Sequence, residues 1–188
     1  MSLVLRALGA ILTAALAAAL TTMAWPPPPG AGSGGPPGRA RVVRVIDGDT
    51  AVVDLGGGDT TVRFIGIDTP ETVAPNRPVE CFGPEASSRL KQLLPPGTAV
   101  RLWRDVEPLD RYDRLLAYVQ RSSDGLFVNV AQVADGYAIA KSYPPNTWYR
   151  TTFDAAEAAA RAGGVGLWST CDGADVVLGP APAGPATR

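Results

Sequence analysis

Apolar and polar positions alternate most densely between residues 42 and 72, in VVRVIDGDTAVVDLGGGDTTVRFIGIDTPET. Val42, Val45, Val52, Val53, Val62, Phe64, Ile65 and Ile67 supply the β-branched and aromatic side chains that fit a pleated, half-buried surface. Gly48 and the run Gly56-Gly57-Gly58-Asp59 interrupt them as turn signals, the second marking a hairpin. The stretch predicts three short strands with charged residues at their ends. Further on the period changes. Ala86, Leu90, Leu93 and Leu94 recur at helical spacing within residues 85–94, between Pro84 and Pro95-Pro96. Residues 98–103 alternate again and predict a strand, and residues 115–120 supply another. Residues 127–134 carry an apolar face at helical spacing and stop at Gly136. Residues 152–162 form an alanine-rich helix, with Glu157 four residues before Arg161 and Gly163-Gly164 as its stop. Five strands with three helices inserted or appended describe an α+β chain, and a small antiparallel barrel of the OB type is the natural architecture.

Set into the first apolar stretch are Asp47, Asp49, Arg63, Asp68 and Glu71. Packing does not explain four acids and an arginine so near bulky strands. Asp49 and Asp68 fall at strand ends, where neighbouring strands can bring them together. Two carboxylates with nearby backbone carbonyls make an oxygen-rich site suited to a hard divalent cation, Ca²⁺ or Mg²⁺. An arginine beside such a cation is what a phosphate ester requires. Plainer readings exist for single residues. An Asx turn explains Asp47 better than Asp49, Glu71 alone is an exposed loop glutamate, and Arg114 has Asp110 and Asp113 close by as surface partners.

In combination, IDGDT at 46–50, VRFIGIDTPET at 62–72, DRYDRLLAYV at 110–119 and GLWS at 166–169 resemble the signature of the staphylococcal nuclease (thermonuclease) family, over about residues 41–171. The resemblance implies the same barrel and a Ca²⁺-dependent, sugar-nonspecific nuclease that hydrolyses DNA and RNA to leave 3′-phosphates. It implies Asp49, Asp68 and the Thr69 backbone carbonyl as metal ligands, with Asp47 behind them. Glu71 takes the place of the residue that orients or deprotonates the attacking water. Arg63 and Arg114 match arginines that contact the phosphate, and Tyr112 a tyrosine that hydrogen-bonds one, with Arg111 beside it as a second cation. Tyr143 either packs against a base or is partly buried with a wet hydroxyl, and Lys141 lines the same pocket. Trp168 anchors the last helix. One departure stands out: Asp113 occupies the place of a family glycine. A positive φ there suits aspartate less well than glycine, and its charge beside Arg114 competes with phosphate, so activity is expected to fall without being abolished. The alternative is a catalytically weak or inactive module binding nucleic acid or protein. Retention of Asp49, Arg63, Asp68, Glu71 and Arg114 argues for the enzyme.

Composition narrows this further. At 188 residues with 46% hydrophobic content the chain fits one domain plus extensions. A net charge of -1 argues against a large basic nucleic-acid-binding face, so a polyanion has to be held in a local cationic cleft. One narrow cleft without a base-reading element favours single-stranded substrate. The absence of histidine excludes His-metal nucleases, His general bases and Ser-His-Asp triads. After Arg6, the apolar run 7–20 has the length of a signal-peptide core. Residues 1–24 are accordingly a signal peptide or an N-terminal membrane anchor, and the protein is secreted or held at the cell surface. Residues 25–39 are a Pro/Gly-rich linker, 40–172 the nuclease-like domain and 173–188 a disordered tail, in a monomer by default. In an exported chain Cys81 and Cys171 imply a disulfide more readily than two buried thiols. ECFGPEA and the cysteine after GLWS also resemble exported bacterial members of the family.

Overall fold

The computed structural model describes residues 38–72, 79–171, 173 and 176. The expected signal or anchor at 1–24, most of the linker and nearly all of the tail lie outside the described residues. The strands are β1 (Gly38–Val45), β2 (Thr50–Asp54), β3 (Asp59–Phe64), β4 (Gly66–Asp68), β5 (Ala99–Trp103), β6 (Leu115–Arg121) and β7 (Ile139–Lys141). The helices are α1 (Gly83–Leu93), α2 (Val128–Ala134), α3 (Arg150–Ala162) and the single turn α4 (Leu167–Thr170). β1 begins inside the expected linker, because Gly38 and Arg39 pair with Leu102 and Arg101 of β5.

Five strands close into a barrel in the order β1-β2-β3-β6-β5. The alternation that announced the strands also fills the barrel. Val42, Val53, Val62, Phe64, Val100, Leu102, Ala117 and Val119 point inward and are buried, while Arg41, Arg44 and Arg101 face out. The barrel is not wholly antiparallel, as β3 and β6 run parallel. A parallel neighbour needs a long crossover, which α1 and β5 supply. The third expected strand is in fact two. Gly66 turns the chain at φ 82°, and a Cβ there would sit 2.1 Å from the Phe153 ring, so the backbone presses directly on α3. After that turn β4 leaves the barrel and pairs with β7 in a separate two-stranded sheet. Three-residue strands show too little alternation to be read from sequence, and β7 was not expected at all.

Beside the barrel, Tyr118, Phe127, Tyr149 and Phe153 form an edge-to-face aromatic cluster that seats α2 and α3. Trp168 lies under the Arg161 guanidinium at 4.0 Å, which ties α4 to α3. Among the described residues no helix is long and apolar enough to cross a membrane. Cys81, just before α1, is bonded to Cys171, just after α4, closing a separation of 90 residues. A loop of that length restricts the unfolded chain strongly. Replacing both cysteines by serine is expected to lower unfolding stability by roughly 2–4 kcal/mol, read as a drop in the urea midpoint. An unchanged midpoint would leave the bridge without a stabilising role.

Candidate active site

The turn 47–49 enters β2. The Asp47 carboxylate accepts the Asp49 N–H at 3.0 Å, so Asp47 braces the turn as an Asx residue does. Gly48 is wedged between Thr69 and Ala86, where a Cβ would approach both to less than 3.0 Å. Its carbonyl accepts the buried Gln132 amide from α2 at 2.7 Å. These contacts fix the direction of Asp49. The Asp49 Oδ1 accepts the Thr50 hydroxyl at 2.9 Å, and Oδ2 accepts the Thr69 N–H at 3.2 Å and its hydroxyl at 3.1 Å.

Arg63 lies on β3 opposite Thr50, pointing away from the core that Val62 and Phe64 enter. Its Nη1 donates to the carbonyls of Phe64 and Ile67 at 2.6 and 3.1 Å. Its Nη2 lies 3.0 Å from Asp49 Oδ2 and 2.8 Å from Asp68 Oδ1. Two carboxylates are thus gathered on one guanidinium nitrogen. Burial pushes the Asp49 carboxyl up to about 7 against the opposing pull of Arg63, and the Asp47 and Asp68 charges add to the rise. The other Asp68 oxygen receives Lys141 Nζ from β7 at 3.0 Å. That hydrogen bond holds the Lys141 ammonium above its ordinary range despite partial burial.

Glu71 follows Pro70 on the loop after β4. Its N–H donates to Glu80 Oε2 at 2.8 Å, and its carbonyl accepts the Glu80 N–H at 2.9 Å. The Thr72 N–H donates to the Glu71 Oε1 at 2.9 Å. The buried Glu80, next to the disulfide, therefore pins the backbone that carries Glu71.

Arg63 also lines a cavity of about 460 Å³ shared with Arg111, Tyr112, Arg114, Tyr143 and Asp110. Tyr112 and Tyr143 are exposed there. Arg111 and Arg114 stand 4.7 and 5.4 Å from the Tyr112 ring centre. Arg114 Nε donates to Asp110 Oδ2 at 2.7 Å, and Asp110 Oδ1 accepts the N–H groups of Tyr112 and Arg114. Burial would raise the Asp110 carboxyl, but these donors hold it below the usual range. Asp110, not Asp113, is the anion that Arg114 meets.

Residues 61–170 match the model of the family described as staphylococcal nuclease homologue. The chain belongs to the staphylococcal nuclease family. It is 47% identical over 127 residues to a thermonuclease of Staphylococcus intermedius, covering 68% of this chain and 74% of that one. It is 43% identical over 129 residues to a thermonuclease of Staphylococcus hyicus, with 69% and 75% covered. Endonuclease YncB of Bacillus subtilis is 39% identical over 127 residues, with 67% and 59% covered.

Within this family member, the expected residues fall into two groups that share Arg63. Asp49 and Asp68 meet on its guanidinium, with Asp47 and Thr69 hydrogen-bonded to Asp49, and Arg111, Tyr112, Arg114 and Tyr143 line the adjoining cavity; Glu71, held by Glu80, lies outside both groups. Glu80 and Gln132 were missed in the sequence. Both act through backbone groups of another segment, so no local pattern announces them. Among the described residues no three His, Cys, Asp or Glu side chains gather as a metal cage. The donors near Arg63 are nonetheless all oxygens, two of them carboxylates within about 6 Å of each other through one nitrogen. That set fits a hard divalent cation completed by carbonyls and solvent.

Asp113 has φ 60°, the left-handed conformation that the family glycine suits. The left-handed region costs roughly 1–2 kcal/mol for most residues and less for aspartate. Asp113→Gly is expected to leave stability unchanged or raise it by about 0.5 kcal/mol, and Asp113→Val to lower it by about 1–2 kcal/mol. Urea unfolding of the two variants checks the order, and equal values would show that the backbone is not strained.

Proposed function

We propose that the chain is an exported, Ca²⁺-dependent, sugar-nonspecific endonuclease that hydrolyses phosphodiester bonds of DNA and RNA and leaves 3′-phosphates. The observation that carries this reading is the meeting of the Asp49 and Asp68 carboxylates on Arg63, at the edge of a cavity lined by Arg111, Tyr112 and Arg114. Asp49, Asp68 and the Thr69 carbonyl would hold the cation, which supplies Lewis-acid polarisation of the phosphate when bound. Arg63, now held on both carboxylates, would then have its Nη2 free for a phosphate oxygen. Arg114 offers a second guanidinium, and together they offset the charge that develops on phosphorus. Glu71 orients a water and accepts its proton as the new P–O bond forms in line with the departing 5′ oxygen. The leaving oxygen takes a proton from solvent. Tyr143 presents an exposed ring on which an unpaired base can stack, and the exposed Tyr112, beside Arg111 and Arg114, is placed to meet a phosphate, which supports a preference for single strands. Export is supported by the apolar run at 7–20 and by the Cys81–Cys171 bridge, a bond of oxidising compartments.

Digestion of single-stranded DNA by the full chain, with Ca²⁺, with Mg²⁺ and with chelator, tests the reading. Cleavage with calcium only, giving 3′-phosphate ends, is the expected result; no cleavage by folded, calcium-loaded protein would end it. Glu71→Gln and Arg63→Lys should each lower kcat by about 100-fold or more while the circular dichroism stays that of the parent. A parental rate in either variant would remove that residue from the mechanism. Lys141 must leave Asp68 before that oxygen can serve a cation, so Lys141→Met should bind Ca²⁺ several-fold more tightly in titration calorimetry. Equal or weaker binding would mean that Lys141 does not compete.

A further inference from the structure

A second cationic surface lies on the far side of the barrel. Arg39 and Arg41 of β1 and Arg101 of β5 all point outward, as the alternation along both strands requires. Arg39 and Arg101 are direct cross-strand partners, which sets two like charges side by side. Such a pair is destabilising unless an anion neutralises it. Among the described residues neither arginine has an acidic partner, and Arg41 donates only to the Gly97 carbonyl at 3.2 Å. The three line a groove of about 460 Å³ that contains one carboxylate, Asp54. Asp54 stands opposite Arg41 in the β1–β2 ladder, but its carboxylate accepts the Gly56 N–H at 2.7 Å and, among the described residues, forms no ion pair with any of the three arginines. Residues 1–37 hold no aspartate or glutamate.

We propose that Arg39, Arg41 and Arg101 form a second nucleic-acid site that grips the phosphate backbone of a single strand away from the active site. This rests on the nuclease reading only for the identity of the polyanion. In the closed order β1-β2-β3-β6-β5, neither β1 nor β5 borders β3, the strand that carries Arg63. A strand held at both sites must therefore pass around the barrel. The site serves long substrates and leaves short ones untouched. Guanidinium groups suit the task, because each can donate two parallel hydrogen bonds to a phosphate. The near-zero net charge of the chain conceals the patch, since acids elsewhere balance it.

The test uses the full chain and a fluorescently labelled DNA strand of about 30 nucleotides, with chelator present so that no turnover occurs. Anisotropy titrations between about 50 and 200 mM salt give the slope of log K against log[salt], to which each single-strand phosphate contact contributes about 0.7. The triple variant Arg39→Gln, Arg41→Gln, Arg101→Gln should bind more weakly and lower the slope by about 2. The triple Arg→Lys variant should keep most of the slope, and dinucleotide cleavage with calcium should be unchanged in both. Parental affinity and slope in the glutamine variant would overturn the proposal, as would equal losses in the lysine variant. If vesicles of phosphatidylserine and phosphatidylcholine, not DNA, lose binding in the glutamine variant, the patch faces a membrane and the proposal fails. Arginine-dependent DNA binding by a chain that never cleaves would keep this site and end the nuclease reading instead.

Discussion

The Arg63 guanidinium is the contact on which the site depends. Asp49 is buried, and its nearest charged neighbours other than Arg63 are acids, Asp47 and Asp68. A buried charge stranded without its partner costs about 3–5 kcal/mol. Arg63 supplies the missing positive charge internally, so the pocket built from these carboxylates is compensated within the chain itself. The same geometry explains why Arg63 sits on β3. An outward position opposite Thr50 lets it reach Asp49 at the start of β2 and Asp68 at the end of β4 together. One strand position thus joins the barrel to the small β4–β7 sheet.

Around that contact the chain holds its carboxylates through backbone groups. Gln132 reaches from α2 to the Gly48 carbonyl, and Asn129 on the same helix accepts the Val119 N–H and donates to the Ile65 carbonyl. Two buried amides on α2 therefore lock the turn before β2 and the crossing of β3 and β6. On the other side Glu80 holds the main chain of Glu71 at both its N–H and its carbonyl. Cys81 follows immediately and is bonded to Cys171. The disulfide thus fixes one end of the segment that carries Glu71, and its influence extends past stability to the placement of an acid.

Legibility in the sequence followed the length of each pattern. β1, β2, β3, β5 and β6 have enough alternation to be read from Val42, Val53, Val62, Val100 and Val119. β4 and β7 have three residues each, and Gly66 looked like one more residue of a strand. What made it a corner is the Phe153 ring, which comes from α3 and is invisible at that point of the chain. Asp49, Asp68 and Arg63 stood out because charges are costly beside bulky strands. Glu80 and Gln132 did not, because a polar residue in a loop or helix is ordinary until its partner is known. The positive φ at Asp113 was anticipated through the family pattern alone; DRYDRL itself contains nothing that requires it.

Charge in this protein is segregated more than it is absent. Near Arg63 three cations are already paired, Arg63 and Lys141 on carboxylates and Arg114 on Asp110, while the exposed Arg111 meets, among the described residues, only the Tyr112 hydroxyl and ring. On β1 and β5, Arg39, Arg41 and Arg101 face solvent around a single carboxylate, Asp54, with no ion pair to it among the described residues. The two arrangements have different consequences for a polyanion. Cations already paired with carboxylates contribute little long-range attraction and become available only when those carboxylates are satisfied another way. Unpaired arginines attract phosphate at a distance, within the Debye length of about 8–10 Å at physiological salt. A near-zero net charge is therefore compatible with strong local attraction. What the total excludes is a uniformly basic surface, and it says nothing about where the arginines lie.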